Sequence, residues 1–125
     1  MIKKVIIGII GLFIILAVLA LRPVPIIAED EAIAETGIVS TIFEGGENDV
    51  IFKLSNSERL FYINRGLEQN LSLEDLRYEL IGKEVVFKYP DYWTPLDWNK
   101  RVRHLSKVEV GEEVIYSELL PSKSK

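Results

Sequence analysis

An unbroken apolar run at residues 5–21, VIIGIIGLFIILAVLAL, constrains this chain more than any other feature. At about 1.5 Å rise per residue, a helix over this run spans roughly 25 Å, which is near the lower limit for crossing a bilayer and longer than most signal-peptide cores. We therefore expect residues 1–22 to form a transmembrane anchor or an uncleaved signal. The chain is then attached to a membrane through residues 5–21.

The residues that flank the apolar run predict its orientation. Lys3 and Lys4 precede it, and the acidic residues 29–31 follow it. The positive-inside bias places the amino terminus in the cytoplasm. The prediction is therefore a single-pass protein of the cell membrane whose carboxy-terminal domain is extracytoplasmic, either periplasmic or extracellular. Ala20 and Ala28 are small residues that a signal peptidase accepts, so cleavage is the alternative to the retained anchor that we favour.

The composition of the chain argues against several functional classes. The chain has no cysteine, which excludes disulfides and thiolate chemistry, and His104 is the single histidine, so neither a typical zinc site nor a cofactor is expected. Carboxylates at Glu44, Glu47 and Asp49 surround a Gly-Gly turn but match no calcium-loop spacing, and we interpret them as a charged turn. The formal net charge of −4 argues against nucleic acid as a partner.

The remaining residues divide into a linker, one domain and a short tail. Pro23 and Pro25 disfavour continuation of the helix, and the acidic stretch at residues 29–35 is typical of a solvated tether, so we assign residues 23–35 to a linker. Residues 36–120 are enough for one small domain and too few for two. Residues 121–125 form the tail.

Three strands are predicted before the first helix of this domain. Residues 36–44 are rich in β-branched side chains and end at the turn sequence GGEN, after which residues 49–54 resume the β pattern as the second arm of a hairpin. A polar stretch then separates the second strand from a third at residues 60–63, LFYI. We expect the third strand to pair with the second.

A helix and two further strands complete the domain. Ser72 is a helix cap, Leu73, Leu76 and Leu80 fall on one helix face, and Gly82 is placed to end the helix. A fourth strand at residues 84–89 precedes a loop at 90–99, a fifth strand at 102–110 and a last short segment at 114–116. The order of elements is therefore β-β-β-α-β-β.

This order resembles the OB-fold, the small oligonucleotide- and oligosaccharide-binding barrel in which a helix lies between strands three and four. The fold class that the resemblance implies is an N-terminal transmembrane helix followed by a small, mainly-β, OB-fold-like barrel. Segments at residues 61–66, 80–83 and 92–97 are also similar to segments of small, membrane-anchored bacterial exported proteins. That second resemblance implies no activity.

The loop at residues 90–99, PDYWTPLDWN, is the first candidate for a binding surface. Tyr92, Trp93 and Trp98 supply flat apolar area, and the OB-fold resemblance implies ligand contacts on the loop between strands four and five. Strand alternation places Arg101, Arg103 and Lys107 on one face of the next strand, as a cationic strip beside the aromatic side chains. A protein, a sugar or a carboxylate-bearing small ligand suits such a surface. The alternative is a loop that folds its aromatic side chains back over the domain as a lid.

A second candidate site is the sequence Asn64-Arg65-Gly66, which follows the third strand. Arg65 presents a guanidinium fork to an anion, while Asn64 is suited to satisfying loose backbone groups. Gly66 is expected to supply a positive φ angle at the exit from the strand. The structural alternative is a turn that leads to the helix.

The same strand alternation places His104 on the apolar face of the fifth strand, which predicts a partly buried, structural histidine. The function that we expect is therefore a membrane-anchored, extracytoplasmic binding or assembly module that recognises an envelope protein or a small ligand through the aromatic loop. Two alternatives stay open. One is a small hydrolase using Asp91, Asp97 or His104, although no catalytic constellation is visible, and the other is a passive structural domain of an envelope complex.

Overall fold

The computed structural model describes residues 1–120 of the chain, so the predicted tail at 121–125 lies outside the described residues. A helix, α1, precedes a domain of seven strands and a second helix. Three one-turn 3-10 helices lie at Glu29–Glu31, Gly66–Glu68 and Pro95–Asp97. The remaining elements are, in chain order, α1 at Ile2–Leu21, β1 at Ile33–Gly45, β2 at Asp49–Leu54, β3 at Leu60–Ile63, α2 at Leu73–Leu80, β4 at Glu84–Tyr89, β5 at Val102–His104, β6 at Lys107–Val110 and β7 at Glu113–Ser117.

The first helix extends over 20 residues and buries none of them. A helix of this length is about 30 Å long, which matches the thickness of the hydrocarbon core of a bilayer. It is long and apolar enough to span a membrane or to be a signal sequence. The predicted N-terminal apolar helix is therefore confirmed.

The seven strands form one open sheet in the order β5-β3-β2-β1-β4-β6-β7. Every neighbouring pair is antiparallel except β3 and β5, which run parallel. The long strand β1 lies at the centre and pairs with β2 through its second half and with β4 through its first half. The domain is mainly β, as predicted, but its sheet is open rather than closed into a barrel.

The predicted fifth strand is divided into β5 and β6, which pair with different neighbours. Between them, the backbone N–H of Leu105 donates to the carbonyl of Tyr62 over 2.8 Å, and that of Ser106 donates to the carbonyl of Lys88 over 2.7 Å. Leu105 and Ser106 are both fully buried, so the alternation of the strand is interrupted at this point. As a result Arg103 faces the interior, and the predicted placement of this side chain on an exposed face is wrong.

The local signals for α2 are confirmed. The Ser72 hydroxyl accepts a hydrogen bond from the backbone N–H of Asp75 over 3.4 Å, and Leu76 and Leu80 are buried. Gly82 follows the helix with φ of +82°, a conformation that favours glycine. Its N–H donates to the carbonyl of Val39 over 2.8 Å, which joins the end of the helix to β1.

Three phenylalanine rings form the centre of the core. Phe52 of β2 and Phe61 of β3 both pack against Phe87 of β4, with ring centroids 5.3 and 5.0 Å apart. All three side chains are fully buried. The inward-facing positions of β1, β2, β3 and β4 and two leucines of α2 surround them. Contacts among these side chains therefore hold the two halves of the sheet together.

The acidic stretch at residues 29–35, which the sequence predicts as a solvated tether, packs on the sheet. Glu29 pairs with Lys88 and Lys107, and the hydrogen bonds from these two lysines lower the pKa of Glu29. Glu35 lies in β1 and accepts hydrogen bonds from Arg59 and from the hydroxyl of Tyr89. The partners lie more than 20 residues away in the chain, so local composition does not reveal these contacts.

The core arrangement predicts a specific stability difference between two aromatic substitutions. Phe87→Ala removes the ring shared by both aromatic contacts, and we expect it to lower the free energy of unfolding by about 3–5 kcal/mol. Tyr78→Ala removes an exposed ring of α2 and should change stability by less than about 0.5 kcal/mol. Urea unfolding of the full-length protein in detergent, followed by circular dichroism, measures both. Equal losses in the two variants would contradict the central role of Phe87.

Candidate functional site

The loop at residues 90–99, called here the aromatic loop, is ordered by its own polar side chains. The carboxylate of Asp97 accepts hydrogen bonds from the backbone N–H groups of Arg101 and Val102, both over 3.0 Å. The hydroxyl of Thr94 accepts from the N–H of Leu96 at the start of the one-turn helix. These bonds fix the path of the loop into β5.

The aromatic loop is also bonded to the end of α1. The guanidinium of Arg22 donates to the carbonyl of Trp93 over 2.6 Å, and the hydroxyl of Tyr92 donates to the carbonyl of Arg22 over 2.8 Å. The Arg22 guanidinium carbon also lies 4.7 Å from the centroid of the Tyr92 ring, in a cation–π contact. Three contacts therefore join the loop to the first residue after the apolar helix.

The two tryptophans of the loop differ in exposure. Their rings meet edge to face with centroids 5.1 Å apart, and the Trp93 indole N–H donates to the carbonyl of Trp98 over 3.1 Å. Trp93 is half-buried, whereas the side chains of Trp98 and Leu96 are 73% and 77% exposed. The alternative of a loop folded back over the domain as a lid therefore applies to Trp93, which is half-buried, and not to Trp98, which is exposed.

The cationic strip that strand alternation predicts does not form. Arg103 is only 6% exposed, its guanidinium donates to the carbonyl of Tyr92 over 3.0 Å, and it lies over the ring of Tyr89. Its Nε finds no hydrogen-bond partner among residues 1–120. Lys107 pairs with Glu29 and Glu109, and Arg101 alone is exposed to solvent. Arg103 therefore supports the aromatic loop from beneath.

The second predicted site is part of the hairpin end of the sheet. Arg65 adopts the left-handed conformation with φ of +50°, its N–H donates to Asp49 over 2.8 Å, and its guanidinium pairs with the exposed Glu47. Gly66 does not supply the positive φ, so this expectation is wrong. The backbone approaches β2 closely at Gly66, where a Cβ atom would lie 2.8 Å from Cγ2 of Val50.

Two adjoining depressions, together called here the groove, cross the outer face of β2, β3 and β5. The narrower is a cleft of about 100 Å³ between the aromatic loop and the sheet, and the shallower has a volume of about 340 Å³. Tyr62 and Val102 line both, so the two depressions adjoin at these side chains. The cleft is also lined by Val24, Pro90, Tyr92, Thr94, Asp97, Arg103 and His104, and the shallow part by Asp49, Ile51, Leu60 and Asn64.

Carboxylates surround the centre of the groove. Burial raises the pKa of the Tyr62 phenol, and the negative charges of Asp49, Glu118 and Asp97 raise it further. The carboxylates of Asp49 and Asp97 accept hydrogen bonds from backbone N–H groups. Because these donors carry no charge, the bonds do not neutralise the two carboxylates. The groove therefore combines an apolar floor with two carboxylates, Asp49 in the shallow part and Asp97 in the cleft, and with the buried guanidinium of Arg103.

His104 is held in the wall of the groove. Its Nε2 lies 3.0 Å from a carboxylate oxygen of Glu118, and its ring meets that of Tyr62 edge to face at 5.3 Å. The side chain is 12% exposed, so His104 is partly buried as predicted. It lies on the outer face of the sheet beside Tyr62, however, and not on the face of Ser106 and Val108, so the predicted face is wrong. Burial acts to raise the pKa of Glu118, but hydrogen bonds from His104 and Tyr116 outweigh it and hold that pKa below its ordinary value.

The residues of the hydrolase alternative do not act together in one site. Asp97 and His104 line the same cleft, but each is engaged by its own partners as described above. Asp91 instead pairs with Lys100 on the exposed side of the loop. Among residues 1–120 no group of three His, Asp or Glu side chains is placed to hold a metal ion.

The structure brings two of the seven predicted site residues, Tyr92 and Asn64, into the groove with exposed or half-exposed side chains. Tyr62 and Val102, which form the floor, are not among the residues predicted from the sequence. The alternation of β3 was the available signal for Tyr62, because Phe61 and Ile63 face inward and Tyr62 therefore faces outward. No local signal marked Val102, since its outward direction depends on the interruption between β5 and β6.

Comparison of the chain with protein-family models, curated proteins and solved structures finds no match. The groove, the aromatic loop and the contact between that loop and α1 are therefore the observations from which a function is inferred.

The bonds to Glu118 predict how stability depends on pH. A carboxyl group with a lowered pKa in the folded state stabilises the fold above its unfolded pKa of about 4.3, and this contribution is lost as the pH falls through the folded value. Glu118→Gln should therefore lower stability at pH 7 by about 1–3 kcal/mol, and the difference from the parent protein should shrink below about pH 4. Glu112→Gln, in the exposed β6–β7 turn, is the matched control and should follow the parent curve. Thermal unfolding between pH 3 and 7 measures this, and a difference that does not change with pH would contradict it.

Proposed function

We propose that this protein is a membrane-anchored, extracytoplasmic binding module that recognises a protein partner through the groove. The observation that carries the proposal is the pair of adjoining, partly apolar depressions on a small domain that is bonded to the end of an apolar helix. The anchor restricts the domain to the membrane surface and raises the local concentration of the site for partners in the same membrane.

We further infer that the domain is OB-like. The pairing of β1 with both β2 and β4, the parallel pairing of β3 with β5 and the position of α2 between β3 and β4 all support this. The two backbone bonds of Leu105 and Ser106 add support, because they join one continuous chain segment to both β3 and β4. In OB-folds the face of strands two and three, flanked by the loop between strands four and five, is the ligand-binding face. The groove has the corresponding position here.

The size of the groove favours a protein over a small molecule. Sites for drug-sized ligands have volumes of about 300–1,000 Å³ and enclose most of the ligand surface. The cleft is well below this range, and the adjoining depression is shallow. An extended segment of a protein fits both, because one side chain enters the cleft while its neighbours lie across Ile51, Leu60 and Val102.

The charge of the groove indicates the chemistry of that segment. Asp49 and Asp97 line the groove and accept hydrogen bonds from uncharged backbone N–H groups. The guanidinium of Arg103 is bonded to the carbonyl of Tyr92, and Tyr62 and Val102 form an apolar floor. A lysine or arginine with an apolar stem is suited to such an environment, because its methylene groups cover the floor and its charge reaches the carboxylates. We therefore propose a partner segment that contains at least one cationic side chain among apolar ones.

Site-specific cross-linking tests the groove. Because the chain has no cysteine, Val102→Cys carries a single benzophenone maleimide within the groove. Val114→Cys in β7, at the opposite edge of the sheet, is the matched control, since the two valines are 43% and 51% exposed. After illumination in native membranes, we expect a protein adduct of defined mass from position 102 and none from position 114.

The charge requirement gives the second arm of this experiment. Adding Val102→Lys to an untagged copy of the protein places a positive charge in the groove that is proposed to bind a cationic segment, so this copy should fail to compete for the adduct, whereas an untagged Val114→Lys copy should compete fully. Identical adducts from both positions, or equal competition by both copies, would overturn the assignment of the groove. Circular dichroism of each variant confirms that it is folded.

The proposed orientation has its own test. Lys3 and Lys4 support a cytoplasmic amino terminus, which gives an extracytoplasmic domain. In intact cells, a membrane-impermeant maleimide should label Glu112→Cys but should label Ile2→Cys, which keeps both lysines, only after the membrane is permeabilised. The reverse pattern would place the domain in the cytoplasm.

A further inference from the structure

The length of α1 determines how deep its last residues lie. With Lys3 and Lys4 at the cytoplasmic interface, the apolar run at residues 5–21 spans about 25 Å, which is no longer than the hydrocarbon core is thick, so α1 ends at the boundary of that core. Arg22 caps the carboxy-terminal end of α1. Its charge belongs in the headgroup region, because long cationic side chains at helix ends reach toward the aqueous interface.

The aromatic loop lies at the same depth as Arg22. The guanidinium of Arg22 is bonded to the carbonyl of Trp93, and the Tyr92 hydroxyl is bonded to the carbonyl of Arg22, over 2.6 and 2.8 Å. The one-turn helix Pro95–Asp97 also contacts α1 directly. Residues joined to the helix end over such distances lie within a few ångströms of the lipid boundary.

The side chains that this loop exposes suit that environment. Leu96 and Trp98 are the most exposed large apolar side chains of residues 90–120, and both lie in or next to the one-turn helix that contacts α1. Tryptophan is enriched at membrane interfaces because its ring is apolar while its N–H is polar. The one-turn helix that contains Leu96 lies beside α1, so the exposed apolar side chains of the loop are close to the apolar helix.

We propose that the aromatic loop is a second membrane contact, in which Leu96 and Trp98 insert into the interface of the bilayer that α1 crosses. The loop then attaches the domain to the membrane at a second point and restricts its orientation relative to the lipid surface. Tyr92, which lines the cleft, comes from the same loop, so the groove opens next to the headgroups. This contact exists whether or not the groove has a partner.

Spin labelling of the full-length protein in phosphatidylcholine vesicles tests the contact. A nitroxide at Leu96→Cys is compared with one at Val114→Cys, the exposed position in β7. A label in lipid collides more often with oxygen than with a water-soluble nickel chelate, and a label in water does the opposite. We expect the ratio of oxygen to nickel accessibility to be several-fold higher at position 96 than at position 114. Equal ratios at the two positions, or a label at 96 shielded from both reagents, would overturn the proposal.

Tryptophan fluorescence tests the contact without a label. The chain has two tryptophans, so Trp93→Phe reports on Trp98 alone and Trp98→Phe reports on Trp93 alone. In vesicles of brominated phosphatidylcholine, Trp98 should be quenched most strongly by bromines near the headgroup and shielded from aqueous acrylamide. Full acrylamide quenching of Trp98, with no effect of the bromines, would contradict insertion. Because both measurements use purified protein and lipid, they give the same result whether or not the proposed partner exists.

Discussion

Two backbone hydrogen bonds at the break between β5 and β6 determine where the groove lies. The N–H groups of Leu105 and Ser106 donate to carbonyls in β3 and β4, so two consecutive residues bind to two separate parts of the sheet. Both side chains are buried, which an uninterrupted strand does not allow. The interruption turns Arg103 inward beneath the aromatic loop and turns Val102 outward into the groove. Without it the loop would lose its support and the groove its floor.

The sequence predicted those elements whose signals are local. The cap at Ser72, the glycine at 82 and the hairpin around Asn48 each depend on neighbouring residues, and all three are found where they were expected. The order of the strands in the sheet, by contrast, depends on contacts between residues that are distant in the chain. The break in the fifth strand and the packing of Glu29 against two lysines are of that kind, and neither has a signature in composition or alternation.

The same distinction explains how much of the candidate site was predictable. Tyr92 and Trp98 were predicted as binding residues because their rings supply flat apolar area, and this property does not depend on where the loop lies. Their environments could not be predicted, because the contact between Arg22 and Trp93 joins residues 71 positions apart. Arg103 was expected in a cationic strip because strand alternation was continued through residues 105 and 106. Because the consecutive residues Leu105 and Ser106 both face inward, Arg103 lies beneath the aromatic loop and not on an exposed strand face.

The contacts between Arg22 and the aromatic loop also illustrate how strongly the surroundings set the strength of an interaction. Arg22 is exposed on the domain, and in water such a cation–π contact contributes only about 0.5–1 kcal/mol. At a bilayer interface the same groups lie in a medium of lower dielectric constant, where hydrogen bonds and cation–π contacts are stronger because water competes less. The membrane would therefore strengthen the contacts that hold the loop against it. If the aromatic loop inserts as proposed, these contacts would restrict the orientation of the domain at the lipid surface, where the groove would face partners in the same membrane.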